Sequence, residues 1–117
     1  MASEIRVTST LRYAKDQTAA SLTGSFVADQ VGNKFESGAQ SIGTSEEVLV
    51  KNDVGTIGYC GIRNADTTNF VDFGASAGVY SIRLKPGEAA VLPWQKANVY
   101  ALANTAACIV EYLLVET

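Results

Sequence analysis

Five carboxylates, Glu36, Asp66, Asp72, Glu88 and Glu111, are the side chains of this 117-residue sequence that could pair for acid–base work. Two carboxyl groups flanking a bond can divide the roles of acid and of base or nucleophile. The spacing of these five singles out no pair, and solvated carboxylates on turns and strand faces are the expectation. The chain contains no histidine, so Ser-His and Cys-His nucleophilic arrangements cannot be built from it. Glu111 stands apart because it lies inside the apolar run "CIVEYLL". On an alternating strand it faces away from Tyr112 and alongside Ile109 and Leu113. There it meets solvent on an otherwise covered face, or pairs with an arginine such as Arg83 at a subunit contact.

Other constellations are weaker. Asp66, Thr67, Thr68 and Asn69 offer oxygens to a cation, but they depart from the D-x-[DN]-x-[DN]-G pattern of a calcium loop, and a side-chain-stabilised turn is expected instead. Gly58 and Gly61 form a GxxG without the lysine and following helix of a phosphate loop. Cys60 and Cys108 each sit in an apolar strand-like run. With no CxxC and no histidine beside them a metal site is not expected, and both are read as reduced, buried thiols. Trp94 and the tyrosines Tyr13, Tyr59, Tyr80, Tyr100 and Tyr112 would suit a sugar-stacking platform if they converged. They fall on separate strand-like segments, as core or interface aromatics do. Catalytic, cofactor-binding and metal-binding residues are all read as none, and the chain as no enzyme.

Composition bounds the partners. Charged residues make up 18% of the chain and hydrophobic ones 47%, with a net charge of −3. Globular chains carry about 25% charge, so part of this surface is expected to be covered by a partner. The nine basic residues are scattered, without the stripe that neutralises phosphates, so no nucleic acid is expected. No apolar run reaches the roughly 20 residues of a spanning helix, and "MASEIRVTST" lacks the basic-then-apolar pattern of a secretory signal.

The elements that must position these side chains are strands. "EIRVTSTLRYA" puts Ile5, Val7, Leu11 and Tyr13 on one face and Glu4, Arg6, Thr8, Thr10 and Arg12 on the other, the period of a half-buried strand. A fainter strand follows in "AASLTGSFVA", and residues 35–45 are small, polar and poorly determined. From residue 55 onward, strand-like runs alternate with Gly, Pro, Asn and Asp turns. The clearest signal is "RLKPGEAAVLPW", read as a hairpin. Pro86 presets the second position of a turn and Gly87 supplies a positive φ at the third. Tyr80, Ile82 and Leu84 share one face of the incoming strand, and Ala90, Leu92 and Trp94 one face of the outgoing strand. Pro93 cannot donate a ladder bond and belongs at an edge or a strand end. Nine to ten short strands predict an all-β fold, a single antiparallel β-sandwich of jelly-roll type over residues 1–117, with 1–15 as an extended N-terminal strand or arm.

The order "IGYCGIRNADTTNFVDFG", "VYSIRLKPGEAAVLPW" and "VYALANTAACIVEYLLVE" resembles small β-sandwich virion proteins of tailed bacteriophages, the group that includes capsid decoration (cement) proteins. The resemblance covers residues 55–117. It implies a non-enzymatic particle protein that binds across major capsid protein subunits and stabilises the head. It implies a homo-oligomer, a trimer ahead of a dimer, located on the virion surface and assembled in the host cytoplasm. The alternatives are a neck or tail component of the same particle, and a carbohydrate-binding module serving host adsorption.

Overall fold

The computed structural model describes residues 4–117 and contains ten strands, with no helix among the described residues. They are β1 (Ile5–Lys15), β2 (Thr18–Ala28), β3 (Phe35–Ile42), β4 (Glu47–Val48), β5 (Ile57–Asn64), β6 (Val71–Gly74), β7 (Ile82–Leu84), β8 (Ala89–Lys96), β9 (Tyr100–Ala103) and β10 (Cys108–Glu116). All pairings are antiparallel. Contacts group the chain into two compact units, one running to Val31 and one spanning Gly32–Thr117.

The larger unit is a β-sandwich. One sheet has the order β3-β10-β5-β8 and the other β4-β9-β6-β7. The chain passes between the sheets at nearly every connection, which is the winding of an eight-stranded jelly roll. Alternation explains the layers. On β10, Cys108, Val110, Tyr112 and Leu114 are buried while Ile109, Glu111 and Leu113 point outward. Val71 and Phe73 of β6 and Ala101 and Ala103 of β9 join them from the opposite sheet in one apolar cluster. Pro93 lies on β8, an edge strand, where its missing N–H costs no ladder bond.

Residues 83–94 do not form a hairpin. β7 pairs with β6 in one sheet and β8 pairs with β5 in the other, so the turn arches across the sandwich. The turn itself is as the sequence predicts: Gly87 has φ +82, and Glu88 N donates to Lys85 O at 2.9 Å. A Pro-Gly turn reverses the chain equally well between paired strands and between sheets, so local sequence cannot separate the two. Ile82, Ala90, Leu92 and Trp94 pack against the core as the alternation requires.

Asn64, fully buried, locks this corner. Its Nδ2 donates to Asn69 O and Leu84 O, both at 2.9 Å, and its Oδ1 accepts from Asp66 N at 2.9 Å. Its backbone N–H reaches Glu88 O, and its carbonyl accepts from Gly87 N. The side chain thus joins the end of β5 to the 64–69 turn and the end of β7, and the backbone of the same residue holds the Pro-Gly arch. Every polar group involved is satisfied, as burial demands.

The smaller unit is the β1-β2 hairpin, in register from Ile5↔Ala28 to Lys15↔Thr18. Asp16 and Gln17 close it, with Asp16 at φ 55, a left-handed conformation that aspartate tolerates.

Candidate interaction surface

The hairpin register sorts its side chains onto two unlike faces. One carries the pairs Val7–Phe26, Ser9–Gly24, Leu11–Leu22 and Tyr13–Ala20. The other carries Arg6–Val27, Thr8–Ser25, Thr10–Thr23 and Arg12–Ser21, with the hydroxyls of Thr10 and Thr23 3.3 Å apart. Cross-strand pairs are what hold such a ribbon together. Ile5 and Val7 are buried, but every residue from Thr8 to Val27 is exposed. Leu11 is 72% exposed, Leu22 74% and Tyr13 54%. The alternation of β1 therefore does not make it half-buried along its length, as the sequence predicts. A two-faced pattern needs something to lie against, and from Thr8 to Val27 both faces of the hairpin are exposed. Of the N-terminal segment, residues 1–3 lie outside the described residues.

A second apolar surface lies on the outer face of the β3-β10-β5-β8 sheet. The registers place Ser37, Leu113, Gly61 and Val91 in one row, and Ala39, Glu111, Arg63 and Ala89 in the next. Phe35 and Val115 extend the surface at one end and Ile109 and Ser41 at the other. Phe35, Val91, Ile109 and Leu113 are between 45% and 63% exposed. Small residues, Ser37, Gly61, Ala39 and Ala89, lie between them. The charges here are Arg63 and Glu111, which pair at 2.9 Å. Glu111 faces outward as its position predicts, but its partner is Arg63 on the adjacent strand. Arg83 is engaged elsewhere: it holds both oxygens of Asp72 at 2.8 and 3.2 Å, and lies 3.8 Å over the Phe70 ring.

The other singled-out residues serve the fold. Asp66 accepts from the backbone N–H groups of Asn69 and Thr68 at 2.7 and 2.9 Å, and these bonds hold its carboxyl below the usual range. The 66–69 segment is thus a side-chain-stabilised turn. Glu88 accepts from Lys85 N at 2.7 Å inside the arch. Glu36 lies on edge strand β3 opposite Leu114. Gly58 sits where the β5–β8 register shifts, and a Cβ there would fall 2.0 Å from the Thr117 side chain. Trp94 is packed on the core with Nε1 donating to Asn98 O at 2.8 Å. Tyr112 donates from the core margin to Val50 O. The five tyrosines lie on β1, β5, the β6–β7 connection, β9 and β10. Both thiols are free and buried, and burial pushes Cys60 up to about 12.

Sequence reasoning missed Glu46, whose carboxylate accepts from Tyr80 OH and Gly78 N and is thereby held below its usual range, while Tyr80 rises to about 12. It also missed Asn64, hidden in a stretch that reads as turn. Among the described residues no three His, Cys, Asp or Glu side chains converge as a metal site. No protein-family model matches the chain, and neither does any curated protein or solved structure.

Proposed function

We propose that this protein is a non-enzymatic structural component of a phage particle, a decoration protein that clamps neighbouring major capsid protein subunits. The observation that carries an assembly role is the exposure of two apolar faces, one on the hairpin and one on the outer sheet. Contiguous apolar surface on a small protein marks a site of association. The carboxylates available for chemistry at Asp66, Asp72, Glu88 and Glu111 are each bonded within the fold. The likeness of residues 55–117 to phage virion sandwiches supplies the particle context. Jelly rolls serve capsids, lectins and cupins alike, so the fold alone does not choose among these.

Stabilisation then works by linkage. A protein that binds only the assembled lattice lowers its free energy by RT ln(1 + [L]/Kd) per site, summed over many sites against packaged DNA. The test compares particles with and without the protein under heating. Decorated particles release DNA at a higher temperature and carry hundreds of copies. Equal release temperatures with a few copies per virion would replace decoration by a neck or tail position.

A further inference from the structure

We infer that the hairpin of one copy docks its apolar face on the outer face of the β3-β10-β5-β8 sheet of a second copy. This rests on the assembly reading above and names the partner of both exposed faces. Each chain carries one donor surface and one acceptor surface. The contact is between unlike patches, so two copies exchange it reciprocally in a dimer, or successive copies repeat it head to tail in a ring or an open chain.

The two surfaces match in chemistry and repeat. Both are antiparallel β faces, so outward rows recur every two residues, about 6.8 Å, on each. Stacked sheets with strands roughly aligned pack about 10 Å apart. The hairpin has one row without bulk, Ser9–Gly24, where a Cβ on Gly24 would come within 4.0 Å of Ser9 Oγ. The sheet has one row that stands up, the Arg63–Glu111 pair. Set over each other, these rows bring Leu11 and Leu22 above Leu113, Gly61 and Val91, and Tyr13 above the row that begins at Phe35. The ion pair then lies under the hydroxyl of Ser9.

Area favours the same conclusion. The exposed stretch Ser9–Lys15 with its partner strand covers about 25 by 10 Å, or about 250 Å², at standard strand rise and spacing. The four-stranded face offers about 400 Å² by the same measure, room for one hairpin. Each contact removes about 500 Å², so a reciprocal pair buries about 1,000 Å² in a single interface, at the threshold for a specific one, whereas each contact around a ring of three buries about 500 Å², half of it. Hairpin on hairpin would cover half of this and leave the sheet bare.

The experiment uses the purified full chain with no capsid present, so it can fail independently of the particle-heating test. Light scattering and sedimentation give the mass of wild type, of Leu22→Asp, of Leu113→Asp and of an equimolar mixture of the two. Both sites are exposed, so thermal unfolding of the Asp variants serves as the check that the sandwich is intact. Wild type is expected at two or three times 12.4 kDa, both variants as monomers. The mixture is expected to form a heterodimer, weaker than the wild-type assembly and seen only at higher concentration, because the intact hairpin of Leu113→Asp meets the intact sheet of Leu22→Asp through one contact instead of two. A monomeric wild type overturns the inference. So does loss of association in Leu22→Asp alone, which means hairpin on hairpin, or in Leu113→Asp alone, which means sheet on sheet. A mixture no more associated than either variant alone at the highest concentration reached overturns it as well.

Discussion

β1 and β10 carry the same alternating pattern and meet opposite fates. On β10 the apolar positions Val110 and Leu114 are completely buried against the facing sheet. On β1 the equivalent positions Leu11 and Tyr13 remain more than half exposed. Period-two alternation reports that a strand has two unlike faces. It does not report that a second layer is present. The sandwich supplies that layer from its own chain, and the hairpin does not. A two-stranded ribbon alone is marginal in water, so the hairpin's order is expected to depend on another surface while the sandwich's does not.

The largest effect separating the two units should come from the corner that closes the sandwich. Asn64→Ala leaves Leu84 O, Asn69 O and Asp66 N without their partner. At 1–3 kcal/mol for a buried group stripped of its hydrogen bond, a loss of about 3 kcal/mol is expected. Urea unfolding monitored at Trp94, which packs on this core, measures it. A change below about 0.5 kcal/mol, the scatter of surface substitutions, would mean that the corner is not held by Asn64.

A smaller effect is expected from alkaline pH, again confined to the sandwich. Burial raises the Cys60 thiol from an ordinary 9.0 to about 12. The folded protein therefore keeps a proton that the unfolded chain gives up. The sign follows: stability is flat below about pH 8.5 and falls as pH rises between 9 and 12. Each pH unit in that window removes up to about 1.4 kcal/mol, so about 1 kcal/mol is lost between pH 8.5 and 10. Cys108 is shifted upward as well, first by burial and then by Asp66, and acts in the same direction. Cys60→Ala should be shallower over this range, whatever packing it loses at neutral pH. A slope unchanged by the substitution would assign the alkaline loss elsewhere.

Particular residues show what was legible in advance. Pro86 and Gly87 specify their turn through backbone φ alone, and Asp66 specifies its turn through a side chain bonding two and three residues on. Both could be read from a few neighbouring letters. Whether the strands flanking the Pro-Gly turn pair with each other could not, because the answer lies in β6 and β5, each more than ten residues away. For the same reason the sequence places Glu111 on the outer face but offers Arg83 as its partner, whereas Arg63 becomes its neighbour through the β5–β10 register. β3 was faint because it is an edge strand of small polar residues, and Asn64 because a buried amide looks in sequence like any turn asparagine. The two apolar faces were visible only as low charge and an apolar C-terminal strand. Their existence as surfaces needed the register.

Amide hydrogen exchange across residues 8–27, compared between the wild-type assembly and the Leu113→Asp variant, tests the central claim most directly. The substitution lies on the sandwich and leaves the hairpin sequence intact. The account predicts slow exchange throughout the hairpin in the assembly. In the variant, the hairpin amides should exchange close to the unprotected rate, while β5 and β10 stay protected to the level of global unfolding. Hairpin amides equally protected in both would contradict it, because the hairpin would then be ordered without any partner.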